Sequence, residues 1–400
     1  MSDDERRARL AVRHALAPAS RVETVEAATR AMTALHATEP ATVYLSCWAR
    51  VTSLEVSEVD RALHDDRSLV KQLAMRRTLF VFPGDLLPAV WGSASARVAR
   101  IERARLGKDV VQAGLAADGD DWLDRARAEV LSVLQDHPAG LTAQEIRQAA
   151  PMTGQKLTMS AGDPTVASRV LTHLGATADL VRAVNTGHWR TSRPRWTLMR
   201  QWLGDRGAAG APWEAGRGYQ EIVRRWLHTF GPGTEDDLVW WLGGTKAVVR
   251  AALAELEAVQ VTLDWDGTGW LLPDDLEEVP DPGPWVALLP VLDPSVMGWR
   301  DRDFYLGPHR NQVFDTRGNA GTTAWVDGRV VGCWVQDEAG VVRVRLLERV
   351  SSRARRALDA EAERVAGRSA HRDRLSLAGH ACRVQSNALA GLSARTYDQL

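Results

Sequence analysis

The segment GYQEIVRRWLHTFGPGTEDDLVWWLGGTKAVVRAALAELEAVQVTLDWDGTGWLLP, residues 218–273, decides the predicted fold. Apolar residues recur at helical spacing from Tyr219 to Phe230, and the GPG that follows ends this first helix. Thr234 and Asp237 then form a cap pair for a short second helix.

The rest of this segment predicts a third helix and a hairpin. The third helix follows a GG pair and carries Lys246 and Arg250 on its outer face. Two apolar runs with a turn at Asp266 and Gly267 come next, which indicates a β-hairpin. Three helices followed by a hairpin are typical of a winged helix, whose third helix would enter a DNA groove.

The same order recurs upstream, which predicts an array of one repeated unit. A helix (120–140), a capped second helix (141–151) and a third helix followed by a hairpin (163–199) form the second copy. A looser copy lies at the N-terminus. It comprises helices 23–35 and 41–49, the segment 57–75 and the strand 76–83.

After Pro280 the sequence alternates apolar and polar residues, with turns at 327–328 and 338–340. This pattern predicts a small β-sheet or barrel over 284–350, followed by a helix over 351–367. The predicted fold class is therefore α+β, with winged helices at 1–115, 116–212 and 213–280 and a C-terminal β-barrel domain at 281–400.

Composition narrows the class of protein. The formal net charge is −1, and the three cysteines lack metal-ligand spacing, which favours reduced thiols. No run of 18 apolar residues is present, and the N-terminus lacks the apolar core of a signal peptide. We expect a cytoplasmic, nucleoid-associated monomer with no zinc site and no membrane span.

Arginine dominates the basic residues. Only four lysines occur among 50 basic residues, so 46 are arginines. Arginine suits contact with phosphates and base edges, but a GC-rich genome explains the same bias and is the first explanation. Phosphate-binding loops, dinucleotide fingerprints and hydrolase elbows are absent from the sequence. From the residues alone, the sequence indicates a winged-helix DNA-binding protein.

Four stretches resemble the AlkZ/YcaQ family of tandem winged-helix DNA glycosylases: TALHATEPATVYLSCWAR, MRRTLFVFPGDLLP, WVALLPVLDPSVMGWRDRDFYLGP and GNAGTTAWVDGRVVGCW. The resemblance extends over about residues 20–350. It implies cleavage of the N-glycosidic bond of alkylated bases in double-stranded DNA, in some members within interstrand crosslinks, without a cofactor. It also implies three winged helices and a C-terminal β-barrel.

The catalytic motif of that family is Gln-x-Gln or Gln-x-Asp, and the matching positions here are His36 and Thr38. A purine alkylated at N7 or N3 leaves as a neutral base, so the enzyme mainly has to position a water and stabilise the sugar cation. A neutral His36 could orient that water and accept its proton, and Thr38 could hydrogen-bond it. Both side chains share one face if this segment is extended.

A structural interpretation of the motif is equally open. Thr38 or Glu39 could cap the helix that Pro40 begins, with His36 as an exposed helix end. The runner-up function is a winged-helix DNA-binding protein or transcriptional regulator without catalytic activity.

Further basic residues are candidates for DNA contacts. Arg76 and Arg77 precede a strand near the motif, where arginines also serve solubility. Arg50 could face the site or pair with a carboxylate, and Asp293 could support a DNA-facing loop or simply make a turn. The full DNA-binding set is Arg50, Arg76, Arg77, Arg169, Lys246, Arg250, Arg300 and Arg302, with Asp293 in support.

Overall fold

A computed structural model describes residues 1–157, 166–204, 210–264, 267–337 and 339–369. The N-terminal part contains α1 (Asp3–Arg13), α2 (Val25–Ala31), β1 (Leu35–His36), α3 (Pro40–Arg50), α4 (Val56–Asp60), β2 (Leu69–Ala74) and β3 (Thr78–Pro83). The strands form an antiparallel sheet in the order β1-β3-β2. The predicted helix 41–49 agrees with α3.

The predicted helix 23–35 is wrong in its last turn. Helix α2 ends at Ala31, because Thr33 adopts a left-handed backbone with φ 62°. Leu35 and His36 then pair with Val81 and Phe80 of β3. His36 therefore lies in a sheet and not at a helix end.

The second part contains α5 (Leu87–Val90), α6 (Ala96–Gln112), α7 (Gly119–Gln135), α8 (Ala143–Ala149), α9 (Pro151–Gly154), α10 (Ala167–Ala176), β4 (Leu180–Asn185), β5 (Pro194–Leu198) and α11 (Met199–Leu203). Thr142 and Glu145 form a capping box for α8, which agrees with the predicted capped second helix over 141–151. The predicted helix 120–140 ends at Gln135.

The third part has three helices and a hairpin in the predicted order: α12 (Ala215–Phe230), α13 (Glu235–Leu242), α14 (Lys246–Glu255), β6 (Val259–Thr262) and β7 (Thr268–Leu271). Thr234 and Asp237 form the capping box of α13, and Thr245 caps α14. Gly243 ends α13 in the left-handed conformation, with φ 60°. Part of the predicted turn, Asp266, lies outside the described residues.

The C-terminal part contains β8 (Val286–Leu289), α15 (Pro294–Met297), α16 (Asp303–Leu306), α17 (Arg310–Val313), β9 (Thr323–Val326), β10 (Arg329–Gln336), β11 (Val342–Leu346) and α18 (Ser352–Ser369). Its strands form an antiparallel sheet in the order β8-β9-β10-β11. Within the described residues this sheet is open, so the predicted closed barrel is not found. Four strands are too few to close, and α18 packs against both edge strands.

Two large hydrophobic cores organise the chain. One core draws on all four parts of the chain, and the other lies within the second part, around Trp122 and Trp196. Residues from distant parts of the chain can therefore meet at fixed positions on the first core. In the described part of the chain, none of the helices has the length and apolar character that crossing a membrane requires.

Candidate functional site

His36 is a buried residue at the edge of the β1-β3-β2 sheet. Its side chain is 6% exposed, and its ring lies 5.2 Å from that of Phe80 in an edge-to-face arrangement. The backbone N–H of Ala37 donates a hydrogen bond of 2.9 Å to the carbonyl of Leu79, so pairing continues one residue beyond β1. The sheet therefore fixes the position of His36, and the exposed helix end considered above is wrong.

The imidazole of His36 is neutral at physiological pH. Burial, and secondarily the nearby charge of Arg76, lower its pKa to about 3. Its Nδ1 atom is buried without a hydrogen-bond partner among the described residues. A buried polar atom of this kind is unusual in a native protein, and a substrate or water could use it.

Thr38 lies where the chain leaves the sheet. It is exposed in a bend, whereas His36 is buried. Glu39 occupies the N-cap position of α3 without a side-chain capping hydrogen bond, and Pro40 is the first helical residue. The helix start is thus explained by Pro40, and Thr38 is an exposed residue two positions after the buried His36.

Arg76 and Arg77 form the turn between β2 and β3. Both have left-handed backbones, with φ 53° and 60°, a conformation that costs a non-glycine residue about 1–2 kcal/mol. The Arg76 guanidinium lies 4.1 Å from the ring centroid of Trp240, near the end of α13. Arg77 is half exposed, and its Nε atom lies 3.1 Å from Glu102.

Arg302 reaches the same tryptophan from the C-terminal part. It is 3% exposed, and its guanidinium lies 4.7 Å from the Trp240 ring centroid and 4.3 Å from that of Phe314. Asp237 holds this segment in place, because its Oδ1 accepts hydrogen bonds from the backbone N–H groups of Arg300 (2.7 Å) and Asp301 (2.9 Å). His36, Arg76, Trp240 and Arg302 therefore lie in one region formed by three parts of the chain.

Four other predicted DNA contacts are paired with carboxylates. Lys246 lies 2.9 Å from Asp236, Arg300 lies 3.2 Å from the same residue, and Arg250 lies 2.7 Å from Glu235. Arg169 pairs with Asp109. The predicted groove-entering helix α14 thus has its outward cations partly neutralised by α13, although exposed pairs of this kind are weak.

Arg50 and Asp293 are buried structural partners. Both side chains are fully buried and form an ion pair with 2.7 Å between Nη2 and Oδ1. Asp293 also caps α15 by accepting a hydrogen bond from the N–H of Ser295. Arg50 therefore has no exposed surface with which to contact DNA, which corrects its predicted role. The other two interpretations apply: Arg50 pairs with a carboxylate, and Asp293 stabilises a local turn of the chain.

The sequence interpretation missed Trp240, Phe314 and Arg310. Arg310 is exposed, and its guanidinium lies 6.0 Å from the Phe314 ring centroid. In the sequence, Trp240 is the first residue of a WW pair on α13, and the second, Trp241, is a core residue. No local signal distinguishes a core tryptophan from one that stacks on arginines.

The opposite face of the same sheet carries a separate cleft of about 430 Å³, lined in part by Lys71, Arg182 and Trp189. Lys71 pairs with Val81 of β3, whereas His36 pairs with Phe80, the preceding residue of the same strand. Because neighbouring residues of a strand point to opposite faces, this cleft is not the His36 site. In the described part of the chain, no group of three or more metal-ligating side chains is found.

Arginines stacked on Trp240 beside a buried neutral histidine are chemically suited to contact an anionic ligand. Residues 29–368 match the profile of the family described as DNA glycosylase AlkZ-like. The chain belongs to the AlkZ-like DNA glycosylase family, and is thus an enzyme that acts on DNA.

A solved structure supports the fold. The DNA glycosylase AlkZ of Streptomyces sahachiroi superposes with a TM-score of 0.74 at 21% sequence identity, over 92% of this chain and 97% of that chain. No curated protein matches the chain significantly. The α+β fold is therefore shared with AlkZ over nearly the whole of both chains.

Proposed function

We propose that this protein hydrolyses the N-glycosidic bond of purines alkylated at N7 or N3 in double-stranded DNA, including bases held in interstrand crosslinks. The observation that carries the proposal is His36: a neutral imidazole with an unpartnered Nδ1, fixed by a sheet beside Arg76. By the resemblance in the sequence analysis, His36 also matches a position of the family's catalytic motif.

His36 orients the attacking water in this proposal. An imidazole whose pKa is lowered to about 3 is a weak base, so it accepts a hydrogen bond better than it removes a proton. An alkylated purine carries a positive charge and leaves as a neutral base, which removes the need for a strong general acid. As the bond between the anomeric carbon and the purine nitrogen breaks, its electron pair neutralises the base; the anomeric carbon then bonds to the water, whose proton passes to the surrounding solvent. Orientation of water against the anomeric carbon is then the main requirement.

Thr38 completes the water site from the solvent side. Its exposed hydroxyl lies two residues from His36, at the point where the chain leaves the sheet. A hydroxyl can donate and accept hydrogen bonds at once, so it can hold the same water against the sugar. In this arrangement the motif acts at the surface of the protein, and a charged base needs no deep pocket to depart.

We also propose that residues 1–115, 116–212 and 213–280 are three winged-helix units followed by a C-terminal domain, 281–400. The order of helices and hairpins in 119–198 and 215–271 supports the second and third units. The chain would act as a monomer on duplex DNA, and its arginines would hold the backbone.

The test uses a labelled duplex with a single N7-methylguanine, and alkali converts each abasic site to a strand break. We expect His36→Ala and Thr38→Ala each to lose most of the single-turnover rate. We expect His36→Gln, which restores the family residue, to keep activity. His137→Ala, at an exposed position in the second part, is the matched control.

Wild-type rates in both His36→Ala and Thr38→Ala would contradict the assignment of the motif. Wild-type protein that binds the duplex but releases no base would exclude this lesion. A bulkier adduct and a crosslink are then the next substrates, and failure on all three favours a DNA-binding protein without catalytic activity.

A further inference from the structure

Cations and aromatic rings alternate beside the candidate site. Arg76 lies over Trp240, Arg302 lies over both Trp240 and Phe314, and Arg310 lies at 6.0 Å from Phe314. We call Arg76, Trp240, Arg302, Phe314 and Arg310 the arginine–aromatic series. It begins at the turn next to His36 and ends on α17 of the C-terminal part.

Among the described residues, the three arginines of the series have no acidic partner. In the ranges that the structure describes, no carboxylate oxygen lies within 4.0 Å of their guanidinium nitrogens. Nε of Arg76 and both Nε and Nη2 of Arg302 are buried and have no hydrogen-bond partner among the described residues. This contrasts with Lys246, Arg250 and Arg300, which pair with Glu235 and Asp236.

The fold uses unfavourable local structure to build the series. Arg76 and Arg77 occupy consecutive left-handed positions, which asparagine and glycine usually fill in a tight turn. Gly243 packs directly on this turn, because a Cβ placed there would lie 3.0 Å from the backbone N of Arg76. Burial, and next the charge of Arg302, lower the pKa of Arg76 to about 10. Strain and unpaired charge at one place indicate a binding role.

We propose that the arginine–aromatic series is the backbone-binding surface of this enzyme, with Arg76 and Arg310 each contacting a phosphate of the DNA. The proposal rests on the proposed reaction at His36 and names where the DNA strand passes. Arg76 is partly exposed and Arg310 exposed, so both can reach a phosphate, whereas Arg302 is buried between two rings. Arg302 contributes its charge from a low-dielectric position, where it acts more strongly than at the surface.

A phosphodiester fits this surface better than a carboxylate side chain. A guanidinium that contacts a ring with its face can still use its edge for hydrogen bonds, and at the partly exposed Arg76 and the exposed Arg310 this geometry suits a phosphate oxygen pair. Successive cations along the series suit a ligand with repeating negative charges. The series also places a phosphate next to Arg76 and therefore close to His36.

The test measures the salt dependence of binding to a fluorescent, lesion-free duplex over a range of KCl concentrations. Loss of one phosphate contact reduces the slope of log K against log salt by about one. We expect this reduction for Arg76→Gln and for Arg310→Gln, and about twice as much for the double variant. Arg355→Gln, whose exposed side chain pairs with Asp359 and which has no assigned role in DNA binding, is the matched control and should keep the wild-type slope.

Wild-type slopes for both Arg76→Gln and Arg310→Gln would overturn the proposal. Thermal unfolding checks that the variants fold. If Arg76→Gln does not fold, the slope of Arg310→Gln, whose changed side chain is exposed, is the deciding measurement. The readout is independent of base release. If His36→Ala excises bases at the wild-type rate while the slopes change as expected, the proposed reaction site fails and the binding surface stands.

Discussion

Arg50 of α3 and Asp293 at the start of α15 are 243 positions apart in the sequence and form a buried, two-point ion pair. The distances are 2.7 Å from Nη2 to Oδ1 and 2.9 Å from Nη1 to Oδ2. Burial alone would raise the pKa of Asp293, but Arg50 and further hydrogen bonds hold it below its ordinary value. The pair thereby ties the N-terminal part, which carries His36, to the C-terminal part, which carries Arg302.

Replacing one partner of this pair should destabilise the protein strongly. Arg50→Met leaves the Asp293 carboxylate buried without its counter-charge, and such a change typically costs 3–5 kcal/mol. Urea unfolding would measure the loss. Arg355→Met breaks an exposed pair with Asp359 and should change the free energy of unfolding by less than about 1 kcal/mol. Equal stabilities for the two variants would contradict the structural role of Arg50.

The stability of the protein should fall on the acid side because two buried histidines resist protonation. Burial is the main cause that lowers the pKa of His14 and of His36 to about 3, from 6.5. Between these pH values the unfolded chain binds more protons than the folded one, so the free energy of unfolding decreases as the pH falls from about 6.5 towards 3.

At pH 4.5 each histidine should contribute a loss of roughly 2–3 kcal/mol. Urea unfolding of wild type and His36→Gln at pH 7 and pH 4.5 measures it. The variant should lose less stability than wild type by about that amount. The same pH dependence in both proteins would show that His36 does not stay neutral in the folded state.

Gly243 should be essential for the position of the Arg76 turn. Gly243→Ala imposes a left-handed backbone on alanine and brings its Cβ to 3.0 Å from the backbone N of Arg76. Gly114→Ala is the matched control, because Gly114 has φ 70° but no atom within 4 Å of an added Cβ. Both variants should lose about 1 kcal/mol of stability, but only Gly243→Ala should weaken DNA binding. Equal DNA affinities of Gly243→Ala and Gly114→Ala would contradict a role of the Arg76 turn in DNA binding.

Asp236 and Asp237 are neighbours with opposite expected effects on DNA binding. Asp237→Asn weakens the hydrogen bonds that fix the segment leading to Arg302, so it should reduce both stability and DNA affinity. Asp236→Asn removes a surface charge that pairs with Lys246 and Arg300, so it should increase non-specific affinity. Binding titrations at one salt concentration distinguish the two outcomes. A change of DNA affinity in the same direction for both variants would contradict the roles given to Asp236 and Asp237.

Local sequence signals predicted the helices and hairpins where cap residues and apolar spacing agree. The capping boxes at Thr234 and Thr142 and the Pro40 start of α3 are examples, because their hydrogen bonds and steric limits act within a few residues. The same signals failed at His36. The apolar run before it fits helical spacing, but the pairing of His36 with Phe80 depends on a strand more than forty residues away.

What the sequence by itself determined is the α+β class, the repeated helix and hairpin order, and, through the family motif, the choice of His36 and Thr38 as candidates. The tertiary structure decided which charges are available. Arg50 is buried against Asp293, and Lys246 and Arg250 pair with carboxylates of α13. Arg76 and Arg302 stack on Trp240 and have no acidic partner in the part of the chain that the structure describes. The reason is physical. Secondary structure follows from short-range geometry, whereas the pairing of a charge depends on which distant segments the common core brings into contact.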